Sequence, residues 1–219
     1  MTAAARAVLV IGTKNYSSWS LRPWLLMRHH AVDFEEVRLP LDTPEFYATI
    51  GRWSPSGRVP VLRDGDLVVW DSLAICEYVN ERWLGGAGWP ADLAARAHAR
   101  AVSAEMHSGF NVLREECPLD VVRRSRDPVG AEARRDVERI GTLWRDCRAR
   151  YGAGGKFLFG SFSIADAMYS PVALRIVSYG IDIGPVERDY VDTLLALPSM
   201  REWVADAEAE QRPKREHSR

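Results

Sequence analysis

The sequence predicts a small α/β domain followed by an all-helical domain. Up to Trp83, short runs of β-prone residues alternate with segments of helical periodicity. Beyond the glycine-rich stretch LGGAGWP, the apolar residues recur at helical spacing and no run has the pattern of a strand. This order of elements indicates an α/β plus all-α fold.

The α/β domain is predicted to begin with a strand, a helix and a second strand. Residues 8–12 are apolar up to a final glycine, as expected for a strand with both faces buried. Apolar residues then recur at helical spacing, and Pro23 suits a first helical turn. We expect this helix to begin near Ser20 and to end before Asp33. Phe34–Leu39 has the composition of the next strand, after which two prolines break the pattern.

The clearest pattern in this domain is GRVPVLRDGDLVVWDSLAICEYV, at residues 57–79. It predicts short strands at 59–62 and Leu67–Trp70, and the dipeptide Asp64-Gly65 between them is a strong hairpin signal. Asp71-Ser72 then offers an N-cap for a helix.

The second domain is predicted to contain helices only. We expect residues 1–84 to form the first domain, 85–92 to form a linker and 93–219 to form the helical domain. The helical segments are expected at 91–116, 129–151 and 164–179, with two shorter helices up to Glu210 and a frayed tail at about 211–219. Ser163-Ile-Ala-Asp166 has the form of a capping box and is interpreted as structural.

Composition narrows the classes of function. The net charge of −1 gives no general attraction to nucleic acid or to anionic membranes, and no apolar run is long enough to span a bilayer. The start of the chain is interpreted as the first strand rather than as a signal peptide. Three widely separated cysteines suggest neither a disulfide framework nor a metal site, and they fit a reducing cytoplasm.

Four motifs, in this order, resemble those of the glutathione transferase superfamily. They are the turn NYSSWSLRPW, the strand GRVPVL, the helix start WDSLAICEYV and the later segment SFSIADAMYSP. The resemblance covers almost the full chain and implies a thioredoxin-like N-terminal domain, an all-helical C-terminal domain and a homodimer. It also implies glutathione as co-substrate, a small electrophile as second substrate, and a role in detoxification. No metal is implied.

The resemblance assigns a role to the serine turn. In thioredoxin-like redox domains, a Cys-x-x-Cys motif lies on this turn. Here Ser17 and Ser20 take the two cysteine positions, and the serine-type transferases aim the first hydroxyl of the turn at the glutathione sulfur. Ser17 is therefore the expected catalytic donor and Ser18 the alternative, while Ser20 is expected to cap the helix beside the glutathione site. Taken alone, all three are also ordinary turn and cap residues.

Other glutathione contacts also follow from the resemblance. The peptide bond between Val59 and Pro60 is expected to be cis, and the backbone of Val59 is expected to pair with the cysteinyl part of glutathione. Ser72 and the free N–H groups of its helix are expected to hold the γ-glutamyl carboxylate, with Asp71 accepting from the γ-glutamyl ammonium. Arg58 is a candidate for the glycyl carboxylate.

The pocket for the second substrate is expected between this turn and the first helix of the helical domain. Tyr16 and Trp19 flank the serines, whereas Met106, Phe110 and Arg114 share one predicted helical stripe. Such a stripe is also typical of a hydrophobic core. Trp53, in the loop before the Val-Pro strand, is a further candidate for this pocket.

Three other functions remain open from the sequence. The turn is similar to that of zeta-type members such as maleylacetoacetate isomerase, which have Ser-Ser-Cys-Ser where this chain has Trp19 in place of the Cys. Arg114 and Arg175 are then available to grip an acidic substrate. A non-catalytic protein-binding module is the second alternative. The third, a thiol–disulfide reductase, lacks a cysteine on the turn and requires an exposed Cys76.

Overall fold

The computed structural model describes residues 6–126 and 128–211. The predicted order of a strand, a helix, a strand, a β-hairpin and a helix is confirmed in the first part of the chain. Its elements are β1 (Ala7–Gly12), α1 (Ser18–His29), β2 (Phe34–Leu39), α2 (Pro44–Ile50), β3 (Val61–Asp64), β4 (Leu67–Trp70) and α3 (Ser72–Arg82).

The four strands form one mixed sheet in the order β2-β1-β3-β4. β1 pairs with β2 in parallel and with β3 in antiparallel fashion, and β3 and β4 form the predicted hairpin. Successive residues of β1 point to opposite faces. Leu9 and Ile11 enter the main core, while Val10 enters a second core against α2, so both faces of this strand are buried as expected.

The helical part follows as predicted, apart from one break. Its elements are α4 (Leu93–Ser108), α5 (Asn111–Glu116), α6 (Ala131–Tyr151), α7 (Ile164–Ser178), α8 (Pro185–Leu195) and α9 (Pro198–Glu210). The single helix expected over 91–116 is wrong, because Gly109 has extended backbone and Phe110 adopts a left-handed conformation with φ of 60°. Met106, Phe110 and Arg114 therefore do not share one helical stripe.

Three other local expectations are corrected. Helix α2 was not predicted, because two prolines were interpreted as a break; instead Thr43 caps the helix and Pro44 takes its first position, which needs no N–H donor. Helix α1 begins at Ser18 rather than near Ser20. Strand β3 begins at Val61 rather than Val59, since Pro60 cannot donate to a ladder.

Helix α1 lies at the junction of the two parts of the chain. It packs against α3 of the first part and against α7 and α9 of the second. Trp24 of α1 and Trp203 of α9 are fully buried, with their rings edge to face at 5.1 Å between centroids. One continuous core therefore extends from the sheet into the helices. The expected frayed tail lies outside the described residues, apart from Gln211. Within the described ranges, no helix is long and apolar enough to cross a membrane.

The predicted capping box at the start of α7 is confirmed. The Asp166 carboxylate is fully buried and accepts the N–H and the hydroxyl of Ser163, at 2.8 and 2.9 Å, on one oxygen. Its other oxygen accepts the N–H of Leu158 at 3.1 Å and the hydroxyl of Tyr190 at 2.9 Å. Four donors thus converge on one carboxylate, which links α7, α8 and the preceding loop.

We expect Asp166→Asn to lower the free energy of unfolding by about 2–4 kcal/mol, because an amide group in place of either oxygen leaves two buried donors without an acceptor. Asp192→Asn, at an exposed position of α8, is the matched control and should change stability by less than about 0.5 kcal/mol. Denaturant unfolding measures both, and equal stabilities for the two variants would contradict this account.

Candidate active site

The chain between β1 and α1 forms a tight turn that ends at the helix N-cap. The N–H groups of Tyr16 and Ser17 both donate to the carbonyl oxygen of Thr13, at 3.1 and 2.9 Å. Ser17 is the N-cap residue of α1, and its hydroxyl accepts the Ser20 N–H at 3.4 Å. The turn therefore brings the serines to the N-terminus of α1, where the helix dipole favours negative charge.

Ser17 and Ser20 are hydrogen-bonded to each other. The Ser17 hydroxyl donates to Ser20 Oγ at 2.7 Å, and the Gly12 N–H donates to the same oxygen at 3.1 Å. Ser20 is fully buried, so its hydroxyl ties β1 to α1 and does not face solvent. The expectation that Ser20 caps the helix is wrong, because Ser17 takes the N-cap position.

Ser18 differs from its neighbours in its hydrogen bonding. It is the first residue of α1, and its hydroxyl makes no hydrogen bond to any of the described residues. The exposed fractions of Ser17 and Ser18 are nearly equal, at 5% and 6%. The hydroxyl proton of Ser17 is thus engaged with Ser20, whereas that of Ser18 is available.

The second group of predicted residues lies at the start of β3. The peptide bond between Val59 and Pro60 is cis, as the resemblance implied. The N–H and C=O of Val59 form no backbone hydrogen bond within the described parts of the chain. An extended ligand can therefore pair with Val59 as an added strand does.

The third group lies at the N-terminus of α3. Asp71 is the N-cap residue with φ of 77°, and its Oδ1 accepts the N–H groups of Leu73 and Ala74 at 2.9 and 3.1 Å. Ser72 is buried, and its hydroxyl accepts Nη1 of Arg22 at 3.2 Å. The helix start thus carries one carboxylate and one buried hydroxyl side by side.

A cavity of about 450 Å³ joins these groups. Six predicted residues line it, from the first turn of α1, the loop and cis bond before β3, and the start of α3: Trp19, Arg58, Val59, Pro60, Asp71 and Ser72. Ser56, Trp70 and His107 line it as well and were not predicted as site residues. Ser17, Ser18 and Ser20 are not among its lining residues, and the Ser17 hydroxyl is turned toward Ser20.

His107 is the most informative residue that sequence reasoning missed. The sequence favours a surface or packing role for it, since it lies in a helical pattern. In the structure its Nε2 lies 3.2 Å from Oδ2 of Asp71, and its ring meets Trp19 edge on at 5.3 Å. Burial lowers the pKa of His107, although Asp71 acts in the opposite direction. Nothing in the local sequence marks this position, because the contact depends on how α4 packs against α3.

Two arginines enclose Trp19. The guanidinium carbons of Arg22 and Arg114 lie 4.2 and 4.9 Å from its ring centroid. Arg22 is fully buried, and its Nε and Nη2 have no partner among the described residues. Burial, with help from Arg114 and Arg175, lowers the pKa of Arg22 to about 9, so it remains charged at neutral pH. Arg22 was not predicted, although it lies one helical turn after Trp19.

Arg175 of α7 completes a group of three arginines. It is buried, its Nε donates to the carbonyl of Cys117 at 2.7 Å, and burial together with Arg114 lowers its pKa to about 10. Arg114 itself bonds the carbonyls of Met106 and Gly109 at the end of α4, and burial lowers its pKa. Three guanidinium groups thus lie close enough to act on one another, while Asp71 and Asp136 act on the pKa of Arg22 and Arg114 in the opposite direction.

The other residues predicted for the second substrate are dispersed. Met106 and Phe110 are buried in the main core, which is the role that such a stripe equally allowed. Tyr16 is 51% exposed beside the serine turn. Trp53 packs against the second core on the α2 side of the sheet. Of this set, Trp19 and Arg114 have side chains in contact, and Arg114 also bonds the backbone carbonyl of Met106.

The thiol groups lie away from the turn. Cys76, Cys117 and Cys147 are unpaired and buried, and burial raises the pKa of each thiol, to about 12 for Cys147. A buried protonated thiol is a poor nucleophile, and the exposed Cys76 that a reductase requires is not present. The described residues contain no group of three or more His, Cys, Asp and Glu that could hold a metal ion.

Comparison with known proteins agrees with this geometry. Residues 16–82 match the family "Glutathione S-transferase, N-terminal domain". Two curated relatives differ in how much of each chain the similarity covers. Dichloromethane dehalogenase of Methylorubrum extorquens is 42% identical over 60 residues, which are 26% of this chain and only 21% of that protein. A probable maleylacetoacetate isomerase of Caenorhabditis elegans is 24% identical over 180 residues, 82% of this chain and 83% of that protein.

Solved structures share the fold over nearly the whole chain. A Burkholderia glutathione transferase homologue with bound glutathione has a TM-score of 0.69 at 22% identity, covering 94% of this chain and 99% of that one. A diazinon-metabolizing glutathione S-transferase of the silkworm Bombyx mori has a TM-score of 0.74 at 15% identity, covering 94% and 98%. Residues 16–82 therefore match a glutathione S-transferase N-terminal domain, and the chain as a whole shares the fold of these glutathione transferase structures.

Proposed function

We propose that this protein is a glutathione-dependent transferase in which a serine hydroxyl stabilises the glutathione thiolate for attack on a small electrophile. The observation that carries the proposal is the cavity that joins the free backbone of Val59, the N-terminus of α3 and the first turn of α1. The backbone of Val59 and the N-terminus of α3 border it with groups suited to two parts of glutathione, and Trp19 lines it beside the serine turn.

The proposed binding mode follows the cavity wall. The γ-glutamyl carboxylate would meet the Ser72 hydroxyl and the N-terminus of α3, a favourable place for an anion. The γ-glutamyl ammonium would lie at Asp71, in competition with His107, which already contacts that carboxylate. The cysteinyl backbone would pair with Val59, and Arg58 would face the glycyl carboxylate. This mode aims the cysteinyl sulfur toward the first turn of α1.

The physical magnitudes are adequate for thiolate formation. A free thiol has a pKa of about 8.5. A hydrogen bond to a charged group contributes about 1.5–3 kcal/mol, and one pKa unit corresponds to about 1.4 kcal/mol. One hydroxyl donor and the positive end of α1 can thus lower the thiol pKa by about one to two units. The thiolate then forms a C–S bond with the electrophile as the leaving group departs with the bonding electrons.

Two serines compete for the role of donor. Ser17 must turn its proton from Ser20 to the sulfur, exchanging a neutral hydrogen bond for a stronger one to an anion. Ser18 has no such bond to break. We propose Ser17, by its place in the Ser-x-x-Ser turn, and the free hydroxyl of Ser18 makes it the direct alternative.

We expect Ser17→Ala to raise the pKa of the bound glutathione thiol by about one to two units and to lower kcat/KM toward an activated chloronitrobenzene about 10- to 100-fold at neutral pH. The thiolate absorbance of the complex, followed against pH, measures the first effect. Ser108→Ala, at the exposed end of α4, is the control and should change neither quantity.

Ser18→Ala and Ser20→Ala complete the test. Ser20→Ala should mainly lower stability, by about 1–3 kcal/mol, because it strips the buried Gly12 N–H of its acceptor. If only Ser18→Ala raises the thiol pKa, the donor is Ser18. If none of the three variants raises it, the serine mechanism is wrong even if the protein turns over glutathione.

A specific observation favours a second candidate, a glutathione-dependent cis-trans isomerase. Arg22 and Arg114 lie against the Trp19 ring with Arg175 near them, which suits a carboxylate substrate. The relative matched over most of its length is named a probable maleylacetoacetate isomerase. In such a reaction the thiolate adds to a carbon–carbon double bond, the new single bond rotates, and the thiolate leaves again, so glutathione is regenerated.

For the isomerase reading we expect Arg114→Gln to raise KM for a maleyl-type dicarboxylate about tenfold or more while changing kcat/KM for a neutral electrophile less than about twofold. Arg188→Gln, at an exposed position of α8, is the matched control. Steady-state kinetics with both substrates measure KM for the dicarboxylate and kcat/KM for the neutral electrophile in each variant. Equal losses for the two substrates would show that Arg114 acts through the end of α4 and not through substrate charge.

We also propose a homodimer that resides in the cytoplasm and acts in detoxification. The open edge of the sheet at β4, with Leu67 and Trp70 exposed, and the 72% exposed Leu93 at the start of α4 support self-association. Three unpaired cysteines suit a reducing compartment.

Sedimentation velocity should give about twice the chain mass of 24.6 kDa. We expect Leu93→Arg to shift the protein toward monomer, because it places a charge in the apolar surface, whereas Val186→Arg, at another exposed apolar residue on α8, should leave the mass unchanged. A monomeric wild-type protein would contradict the assembly but not the reaction.

A further inference from the structure

The last turn of α9 binds the backbone of the serine turn. The two oxygens of the Glu210 carboxylate accept the N–H groups of consecutive residues, Lys14 at 3.0 Å and Asn15 at 3.1 Å. A carboxylate at the C-terminal end of a helix opposes the helix dipole, so helix stability does not explain this residue. The two charge-assisted hydrogen bonds from its carboxylate to the turn explain why a glutamate is at this position.

Other groups of the helical part hold the same turn. The indole N–H of Trp203 donates to the carbonyl of Lys14 at 3.1 Å. The carboxamide of Asn15 donates to Asp120 at 2.9 Å and accepts the N–H of Val122 at 3.0 Å. The backbone at residues 14 and 15 is therefore saturated by partners from the C-terminal half of the chain.

A cluster of charged side chains around the buried Lys14 surrounds this contact. Lys14 Nζ lies 2.6 Å from Asp206 and 3.0 Å from Glu36, and Arg38 bonds Glu36 at 2.6 Å and Glu210 at 2.9 Å. Lys14 is fully buried, with Nζ 4.2 Å from the ring centroid of Trp24. Because each carboxylate faces a cation, the cluster holds α9 against β2 and against the turn after β1 in one orientation.

We propose that Glu210 is a positioning residue for the reaction: its carboxylate sets the turn at residues 13–17 and thereby the direction of the Ser17 hydroxyl. The inference rests on the proposed function. Ser17 follows Asn15 by two residues, and its N–H closes the turn onto Thr13 at 2.9 Å. A shift in the amides at 14 and 15 therefore passes directly to the hydroxyl, and a misplacement of about 1 Å can cost up to about a hundredfold in rate.

The test compares Glu210→Gln with the wild-type full chain, using glutathione and an activated chloronitrobenzene. The substitution replaces one of the two accepting oxygens with an NH2 group, so one of the two turn N–H groups loses the oxygen that it bonds in the wild type. We expect kcat/KM to fall about tenfold, which corresponds to about 1.4 kcal/mol, and the pKa of the bound thiol to rise by about half a unit or more. Removal of a negative charge alone would lower that pKa, so a rise reports lost positioning.

Two further variants separate positioning from stability. Glu208→Gln, exposed on the same helix end, should match the wild type in rate and thiol pKa. Asp206→Asn weakens the docking of α9 through Lys14 Nζ but leaves the turn amides their acceptor. We expect it to lower the melting temperature at least as much as Glu210→Gln and to raise the thiol pKa less. Amide hydrogen exchange at residues 14 and 15 should accelerate most in Glu210→Gln.

The outcomes are distinct. A wild-type chain without glutathione-dependent turnover overturns the proposed function and, with it, this inference. If the wild type is active and Glu210→Gln leaves the pKa of the bound thiol unchanged or lowers it, this inference is overturned but the proposed function is not. The inference is also overturned if the pKa of the bound thiol rises equally in Asp206→Asn and Glu210→Gln, because Glu210 would then act only by docking α9. If Glu210→Gln does not fold, unchanged exchange at residues 14 and 15 in folded Glu210→Asp overturns it.

Discussion

The docking of α9 onto the turn between β1 and α1 is the contact on which the candidate site depends. Lys14 reaches both Asp206 of α9 and Glu36 of β2, and Trp203 accompanies it in the core against Trp24. Removing a lysine from water is costly unless it is paired, so this cluster forms only when the two parts of the chain are together. The serine turn is thus shaped by the helical part as much as by the strand and helix that it connects.

The walls of the site differ in charge. One wall carries Asp71 and His107, suited to an ammonium group and its counter-charge. Arg22 and Arg114 lie against the Trp19 ring with Arg175 near them, and burial lowers the pKa of Arg22 and Arg175 while leaving both charged at neutral pH. Trp19 separates the two environments, since its ring is covered by guanidinium groups and its edge meets the histidine.

Much of the architecture followed from local patterns. The alternation of strands and helices, the Asp64-Gly65 hairpin, the capping box at Ser163 and the helical second half each rest on residues close together in the chain, and all are confirmed. The errors occurred where one residue overrides a pattern. Pro44 starts a helix instead of ending one, and the left-handed Phe110 divides α4 from α5. These depend on single backbone angles, which periodicity does not report.

The residues of the candidate site also divide into those that local motifs predict and those that only packing brings together. Trp19, Val59 and Asp71, which line the cavity, were predicted from the chain alone, through the resemblance that their motifs carry. His107, Arg22 and Glu210 were missed because their partners lie far away in the chain, and only packing brings them into contact. Local residue order is enough to establish the elements and the chemical types near the turn. Which hydroxyl is free, which cations are left without anions and what holds the turn are consequences of burial in three dimensions.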